Sequence, residues 1–266
     1  MILSRGMRIA LRIASVAILV FIYVPIGLII LYSFNSARVA SWPIAGLTLD
    51  WYANALSNPG IRSALLTSVQ AAVGATVAAL ILGSLVAFSI QRFAFFGRQT
   101  LSFVVVLPLA LPGIVTGIAL NTALRAFGID FGLATIVIGH ATFCVVVVFN
   151  NVIARLRRVA RTPEEASMDL GADTFFTFRR ITFPAIRTAL VAGALLAFAL
   201  SFDEIIVTNF TAGASTQTLP IWIFTNYQRP NNLPLVNVAA VFVLVLSIIP
   251  VYLASRLTSG VETTGR

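Results

Sequence analysis

The sequence predicts an all-α polytopic membrane protein with six transmembrane helices, and three observations support this. Of the 266 residues, 59% are hydrophobic, and the mean hydropathy is +0.97. Only 10% are charged, against about 25% in soluble domains. Six apolar stretches are long enough to cross a bilayer, which takes ~20 residues. They lie at 13–34, 64–90, 101–124, 132–154, 186–208 and 236–256.

The arginines predict how these spans are oriented. All 18 basic residues are arginines, and alternate connections place 14 of them on one side of the membrane and 4 on the other. The larger set is Arg5, Arg8, Arg12, Arg92, Arg98, Arg155, Arg157, Arg158, Arg161, Arg179, Arg180, Arg187, Arg256 and Arg266. The smaller set is Arg38, Arg62, Arg125 and Arg229. Because positively charged loops stay in the cytoplasm, we expect both termini to be cytoplasmic.

The net charge of +9 and the pI near 11.2 point to membrane lipid rather than nucleic acid as the partner of the arginines. The arginines are divided among short loops and form no continuous stripe of the kind that binds nucleic acid. Anionic lipid headgroups attract basic residues that flank a span. We therefore expect contacts with membrane lipid and no nucleic-acid binding.

The chain is predicted to form one membrane domain with short ends. An N-terminal segment 1–12 precedes a six-helix domain 13–256, and a tail 257–266 follows. The first apolar stretch is longer than the ~7–15 residue core of a cleavable signal, so we expect an uncleaved span. The single cysteine, Cys144, excludes an intramolecular disulfide, and we expect it to be a packing residue. We find no internal repeat that would suggest a carrier built from duplicated halves.

Small residues on the second span predict a close helix contact. Ala71, Ala75, Ala79 and Gly83 recur every four residues and therefore share one face of a helix. Such a face lets a second helix approach closely within the membrane.

Two prolines interrupt the third span. Pro108 and Pro112 each remove a backbone donor, which favours a kink or a break. Irregular backbone at membrane depth is tolerated only against protein or a water-filled cavity. This span either lines a pathway or is a kinked span with a packing role.

Ionisable side chains are rare in the apolar stretches. Asp203 and Glu204 form the one acidic pair there, near the outer end of the fifth span, and they are either part of an outer gate or an ordinary helix end. His140 in the fourth span either titrates or is a structural histidine with hydrogen-bond partners, and we expect the second.

Two longer connections lie on the outer side. The connection 35–62 contains an amphipathic segment at 47–56, and the connection 211–234 contains an apolar segment at 218–224. Both either receive an extracytoplasmic partner or anchor the chain at the interface.

The loop 155–185 contains a predicted short helix. Thr162 and Glu165 have the spacing of a capping box, and Pro163 suits the first helical position. The helix is expected to run through Leu170 and to end at Gly171, since glycine readily takes the left-handed conformation.

A second short helix is expected next in this loop. Asp173 is placed to cap it, and Phe175, Phe176 and Phe178 follow. Pro184 is then expected to open the fifth span. The result is a helix-turn-helix that offers apolar side chains to a groove in a partner.

The same loop resembles a known family. Glu165-Ala-Ser167, Gly171 four residues later and Ile181-Thr-Phe-Pro184 are similar to the Glu-Ala-Ala, x3, Gly, x9, Ile-x-Leu-Pro loop of binding-protein-dependent ABC importer permeases. Ser167 stands for alanine and Phe183 for leucine, and both are mild departures. We call residues 155–185 the coupling loop.

The resemblance extends over essentially the whole chain. The segments 108–119, 139–144, 201–207 and 218–223 resemble the spermidine/putrescine-type permeases of the bacterial inner membrane. This implies a type I ABC importer permease fold. It also implies three kinds of partner, namely an ABC ATPase dimer, a second and non-identical permease subunit, and an extracytoplasmic solute-binding protein. ATP and Mg would be bound by the ATPase, and this chain would carry no cofactor, metal or catalytic residue.

The resemblance and the loop pattern together give two sets of candidate site residues. For docking of the ATPase they are Glu164, Glu165, Ala166, Ser167, Met168, Leu170, Gly171, Asp173 and Pro184. For the substrate pathway or its gate they are Asp203, Glu204, Pro108 and Pro112. In the family, the residue matched by Glu165 contacts the ATPase and the glycine matched by Gly171 permits the turn.

The predicted function is one half of an import pathway for a small hydrophilic, cationic solute such as putrescine or spermidine. Other amines, amino-acid-like compounds, phosphonates and ferric iron remain open, because a separate binding protein does most of the selecting in such importers. The chain has no lysine, which a P-loop ATPase requires, so ATP hydrolysis must come from another subunit.

Two other classes of membrane protein fit the sequence less well. A self-sufficient secondary carrier or channel needs ion ligands at the midplane, and no span centre has a charge. A membrane-embedded enzyme needs a clustered nucleophile, base or metal set, whereas one histidine, one cysteine and nine acids are scattered along this chain.

Overall fold

The computed structural model describes residues 4–39, 42–229 and 232–259. All secondary-structure elements in these ranges are helices. The α-helices, in chain order, are α1 (Arg5–Ser33), α2 (Asp50–Ser57), α3 (Pro59–Arg92), α4 (Arg98–Ala110), α5 (Gly113–Ala126), α6 (Leu133–Arg158), α7 (Thr162–Asp169), α8 (Thr174–Thr177), α9 (Phe183–Phe202), α10 (Ile206–Thr211), α11 (Leu219–Tyr227) and α12 (Leu233–Ser259). A π-helical turn, Phe178–Thr182, joins α8 to α9.

Within the part of the chain that the structure describes, five helical segments are long and apolar enough to cross a membrane. They are Arg5–Ser33, Pro59–Arg92, Leu133–Arg158, Thr174–Phe202 and Leu233–Leu257. The pair α4 and α5 makes a sixth span if its two arms, which meet at 107°, are counted together. The all-α polytopic prediction is confirmed, and all six predicted stretches fall on these helices.

The ends of the predicted domain are partly helical. Because α1 begins at Arg5, most of the predicted N-terminal segment 1–12 continues into the first span without a break. In the predicted tail 257–266, α12 continues to Ser259, and residues 260–266 lie outside the described residues.

The chain divides into two compact units, Met1–Arg62 with Ile223–Phe242, and Ser63–Trp222 with Val243–Arg266. In the first unit, the predicted amphipathic segment forms α2. The Tyr52 hydroxyl lies 2.7 Å from the buried Ser33 hydroxyl at the end of α1, and the Tyr52 ring packs against Phe34 and Phe242. These contacts hold α2 against the end of α1.

Helix α6 is the central helix of the second unit. The predicted small-residue face of α3 packs against it, with Ala71, Ala75 and Ala79 fully buried. A Cβ atom added at Gly83 would lie 2.8 Å from the Val145 carbonyl oxygen of α6. The backbones of α3 and α6 therefore touch at Gly83, which confirms the predicted close contact.

The third predicted span is broken, and Pro112 accounts for the position of the break. Pro108 lies inside α4, whereas α4 ends before Leu111, which is extended with ψ 140°. A residue before proline is pushed out of the helical region, so α5 begins only after Pro112. Of the two prolines, only the second interrupts the helix.

The fifth predicted span, 186–208, is too long at its outer end. Helix α9 stops at Phe202, and Asp203 is its C-terminal cap. After two further residues the chain resumes as the separate short helix α10. Asp203 and Glu204 therefore lie in a connection between helices rather than within a helix.

Candidate functional site

Helix α7 of the coupling loop ends as the sequence predicts. Gly171 has φ +87°, a conformation that side-chain-bearing residues rarely adopt. Its N–H donates to the Met168 carbonyl, and the Ala172 N–H donates to the Ser167 carbonyl. This pair of bonds is the Schellman motif, which satisfies two of the free carbonyls at a helix end.

The start of α7 differs from the prediction. Arg161, not Thr162, occupies the N-cap position, and no side chain caps the helix there. The predicted capping box is wrong, because Thr162 is already the first helical residue and its hydroxyl is not placed to receive the free backbone donors. The Glu164 and Glu165 N–H groups bond instead to the Arg161 carbonyl.

Glu164 is turned inward and connects three elements. Its Oε1 atom lies 2.7 Å from Arg92 Nη2 at the end of α3, and the Thr182 hydroxyl of the π-helical turn donates to the same oxygen at 2.8 Å. The Arg92 and Glu164 side chains are each 13% exposed. Arg161 adds a bond from Nη2 to the Gln91 carbonyl. We call this inward-facing side of α7 the root of the coupling loop. It is bonded to the end of α3 and to the π-helical turn that leads into α9.

The second short helix is present, and Asp173 caps it by accepting a 2.6 Å bond from the Phe176 N–H. Pro184 lies in the first turn of α9, as predicted, but α9 follows α8 and the π-helical turn without a break, because helical structure is continuous from Thr174 to Phe202. The π-helical turn explains this. The Phe183 N–H bonds to the Phe178 carbonyl, and this wider turn accommodates a proline that would otherwise interrupt an α-helix.

The predicted docking residues divide into an exposed set and an inward set. The exposed set contains Glu165, Ala166, Met168, Leu170, Gly171, Asp173 and Pro184. Leu170 is 89% exposed at the tip of the loop, and Phe175 and Phe176 beside it are also exposed. Glu164 and Ser167 face inward, the latter within 3.0 Å of the Thr177 hydroxyl. The loop thus presents an apolar tip on a root held by polar contacts.

The structure brings the two predicted pathway regions together. A Cβ atom added at Gly113, the first residue of α5, would lie 3.5 Å from Ile206, the first residue of α10. One at Gly117 would meet the Phe210 ring. Helices α5 and α10 therefore run parallel, since contacts four residues apart on α5 meet residues four apart on α10. The break that ends at Pro112 lies beside the break at 203–205.

The two acidic residues at this junction have different surroundings. Asp203 is exposed, whereas Glu204 is half-buried. Glu204 Oε1 accepts a 2.9 Å hydrogen bond from the Val207 N–H, so its carboxylate caps the first turn of α10. Asp203 is therefore the more available of the two for an electrostatic role.

His140 of α6 lies at the same junction and is fully buried. Its Nδ1 atom lies 2.7 Å from the Ser201 hydroxyl of α9, and its Nε2 atom lies 2.7 Å from the Thr208 hydroxyl of α10. The expectation of a structural, hydrogen-bonded histidine is confirmed. Cys144, one turn further along α6, is buried as predicted.

Several of these partners were not predicted. The sequence indicates Arg92 only as one of the positive charges that predict orientation, and Thr182, Ser201 and Thr208 are ordinary polar residues in helical stretches. Their roles depend on which helices become neighbours, and no local pattern in the sequence reports that.

Comparison with known proteins connects these features to one family. A sequence profile described as "Binding-protein-dependent transport system inner membrane component" matches residues 79–262. The putrescine transport system permease protein PotI of Escherichia coli K12 is 35% identical over 248 residues, which is 89% of this chain and 87% of the relative. The spermidine/putrescine permease PotC of the same organism is 34% identical over 250 residues, covering 94% and 93%.

A solved structure shows the same fold. A chain of the bacterial ABC transporter that imports the acidic polysaccharide alginate superimposes with a TM-score of 0.70 over 96% of both chains, at 13% sequence identity. At this identity the likeness concerns the fold alone.

Proposed function

We propose, from the premise that this chain belongs to the family of binding-protein-dependent transport system inner membrane components, that it forms half of the pathway of an ABC importer for polyamines. It is a multi-pass protein of the bacterial inner membrane. Its partners in this proposal are an ABC ATPase dimer, a second and non-identical permease and an extracytoplasmic binding protein. ATP and Mg are bound by the ATPase.

The observation that carries the proposal is the form of the coupling loop. Its tip exposes Leu170 and Phe175, while Glu164 and Ser167 hold its root against α3 and α8. Exposed apolar side chains on a short helix suit docking into a groove of a second protein. A loop held by polar contacts to the end of α3 and to the π-helical turn that leads into α9 suits the transfer of motion from that protein.

In the mechanism that we propose, the termini and the coupling loop are cytoplasmic. Closure of the ATPase pair on ATP displaces α7, and continuous helical structure from α8 to α9 carries the displacement into the fifth span. The junction of α5 and α10 then changes its opening. Six spans are few for a complete hydrophilic pathway, which supports a second permease subunit.

Docking is tested by co-purification of the ATPase subunit with the tagged chain, expressed with its partner subunits. We expect Leu170→Ser/Phe175→Ser to lose the ATPase while the parent chain retains it. Phe127→Ser is the matched control, since Phe127 is 82% exposed in the turn after α5 and is predicted to lie on the opposite side of the membrane. Retention by the double variant would refute docking at this tip.

A parent chain that never retains an ATPase would refute the importer itself. Uptake that follows the membrane potential and is indifferent to ATP would then support a secondary carrier.

The substrate class rests on the names of the two relatives, which transport putrescine and spermidine, and on Asp203. An exposed carboxylate at the junction of α5 and α10 attracts a polyamine cation. We expect Asp203→Asn to lower the uptake of labelled putrescine by ~5-fold, the effect of about 1 kcal/mol of screened attraction. Asp130→Asn, another exposed acid, is the control. Unchanged uptake by Asp203→Asn would exclude an electrostatic role for this residue.

A further inference from the structure

We propose that Glu164 is a positioning residue through which the coupling loop acts on two membrane spans at once, the second as well as the fifth. This inference rests on the proposed function. It goes beyond it by assigning α3 a part in the transmission and by giving Glu164 a role different from that of its neighbour Glu165.

One oxygen atom of Glu164 contacts the ends of two spans. Glu164 Oε1 accepts from Arg92 Nη2 at 2.7 Å and from the Thr182 hydroxyl at 2.8 Å. Arg92 is the last residue of α3, and Thr182 is the last residue of the π-helical turn that leads into α9. A displacement of α7 therefore pulls on the ends of two spans through a single carboxylate.

Both members of the Arg92–Glu164 pair are largely shielded from solvent, and the Thr182 hydroxyl is buried. Hydrogen bonds to a charged group in such surroundings are stronger than neutral ones, whereas an exposed ion pair contributes little to stability. Arg92 Nη1 is buried and has no hydrogen-bond partner among the described residues, so loss of Glu164 would leave the guanidinium poorly paired.

Other contacts join the same three elements, α3, α7 and the π-helical turn. Arg161, at the N-terminus of α7, donates to the Gln91 carbonyl near the end of α3. Phe88 of α3 packs edge to face against Phe178 of the π-helical turn, with ring centroids 5.7 Å apart. The end of α3, the π-helical turn before α9 and the start of α7 are therefore in mutual contact. Glu164 of α7 bonds both to Arg92 at the end of α3 and to Thr182 of the turn.

The two neighbouring glutamates of α7 have different surroundings. Glu165 is exposed and lies on the face of α7 available to a partner, whereas Glu164 is half-buried and faces the membrane helices. Removal of Glu165 should weaken docking. Removal of Glu164 should leave docking in place and weaken what docking transmits.

Hydrogen–deuterium exchange on the purified chain tests the mechanical part. We expect Glu164→Gln to accelerate exchange in α7, at the end of α3 and in the π-helical turn together. Asp169→Asn is the matched control, because it removes a carboxylate from an exposed position of the same helix, and it should exchange like the parent. Faster exchange confined to α7 would overturn the proposal.

Transport by the reconstituted complex tests the functional part, as the ratio of putrescine imported to ATP hydrolysed. We expect Glu164→Gln and Arg92→Gln to keep the ATPase subunit bound and its hydrolysis active while the ratio falls ~10-fold. The exchange of charges in Arg92→Glu/Glu164→Arg should recover part of the ratio. Either single variant with the ratio of the parent would overturn the proposal, and so would loss of the ATPase subunit, which would assign Glu164 to docking.

Thr182→Val provides a second test if the variants of the charged residues do not assemble. It removes the hydroxyl that donates to Glu164 Oε1 and preserves the side-chain volume. A lowered ratio is expected, and an unchanged ratio would contradict the link to α9. Failure of the proposed function appears differently, as a parent complex that lacks ATP-dependent uptake.

Discussion

Polar side chains that are largely shielded from solvent connect helices at two places where the regular α-helical structure is interrupted. His140 bridges α9 and α10 through the Ser201 and Thr208 hydroxyls, and Glu164 bridges α3 and the π-helical turn. In a low-dielectric interior such contacts stabilise the fold only while every partner is present. The sequence predicts a hydrogen-bonded histidine at position 140, whereas it indicates Glu164 only as a docking candidate. The partners of both residues were not predictable, because they come from distant parts of the chain.

Replacement of His140 should destabilise the second unit. His140→Leu removes the partner of the buried Ser201 hydroxyl, and an unsatisfied buried group costs about 1–3 kcal/mol. We expect the midpoint of thermal unfolding in detergent to fall by ~2–10 °C. Thr142→Val is the control, since among the described residues that hydroxyl bonds only to the Gly139 carbonyl of its own helix. An unchanged midpoint for His140→Leu would show that the two hydroxyls find other partners.

Gly83 should tolerate no side chain. A Cβ atom there would lie 2.8 Å from the Val145 carbonyl oxygen and 3.0 Å from the Phe149 nitrogen. Both are backbone atoms of α6 and cannot move aside as a side chain would. Overpacking of this kind costs about 1–3 kcal/mol, so Gly83→Ala should lower the unfolding midpoint in the same assay. Gly27→Ala on α1, where nothing lies within 4 Å, should not, and equal midpoints for the two variants would contradict the close contact.

At the scale of elements, the sequence predicted where helices exist better than where they end. The end of α7 was predictable because Gly171 favours a left-handed turn on its own. The end of α9 was not, because the apolar stretch continues past Asp203 into α10 and hydropathy does not distinguish one helix from two. The start of α7 was predicted wrongly, since Thr162 and Glu165 have the spacing of a capping box but Thr162 is already helical and no side chain caps the helix.

Helices α5 and α7 end in the same motif, which permits a matched test of the coupling loop. Gly128 and Gly171 both have positive φ, and after each the next residue bonds back five positions, Ile129 to Leu124 and Ala172 to Ser167. Alanine at either position costs about 1–2 kcal/mol in the left-handed conformation. We expect both Gly→Ala variants to lose similar stability.

Only Gly171→Ala should weaken co-purification of the ATPase, because only this turn orients the exposed tip of the coupling loop. Binding measured over a range of salt and detergent would compare the two variants with the parent. Equal retention by both, or equal loss, would show that the turn at Gly171 has no specific part in docking.

At the scale of the whole molecule, the charges of the connections predict orientation. The arginines divide 14 to 4 between alternate connections, and the coupling loop falls on the richer side. The proposed ATPase partner requires the same orientation, because ATP is cytoplasmic. Composition and spacing could give the fold class and this expected topology, whereas the adjacency of the two helix breaks required the packed structure.

Cysteine labelling tests this orientation directly. The chain has one cysteine, the buried Cys144, and Cys144→Ala supplies a background without reactive thiols. Asn54→Cys on α2 and Phe175→Cys on α8 then place single thiols at exposed positions. We expect a membrane-impermeant maleimide to label Asn54→Cys in intact spheroplasts and Phe175→Cys only after lysis, since positively charged loops remain inside. The reverse pattern would place the coupling loop outside the cell, where no ATPase could reach it.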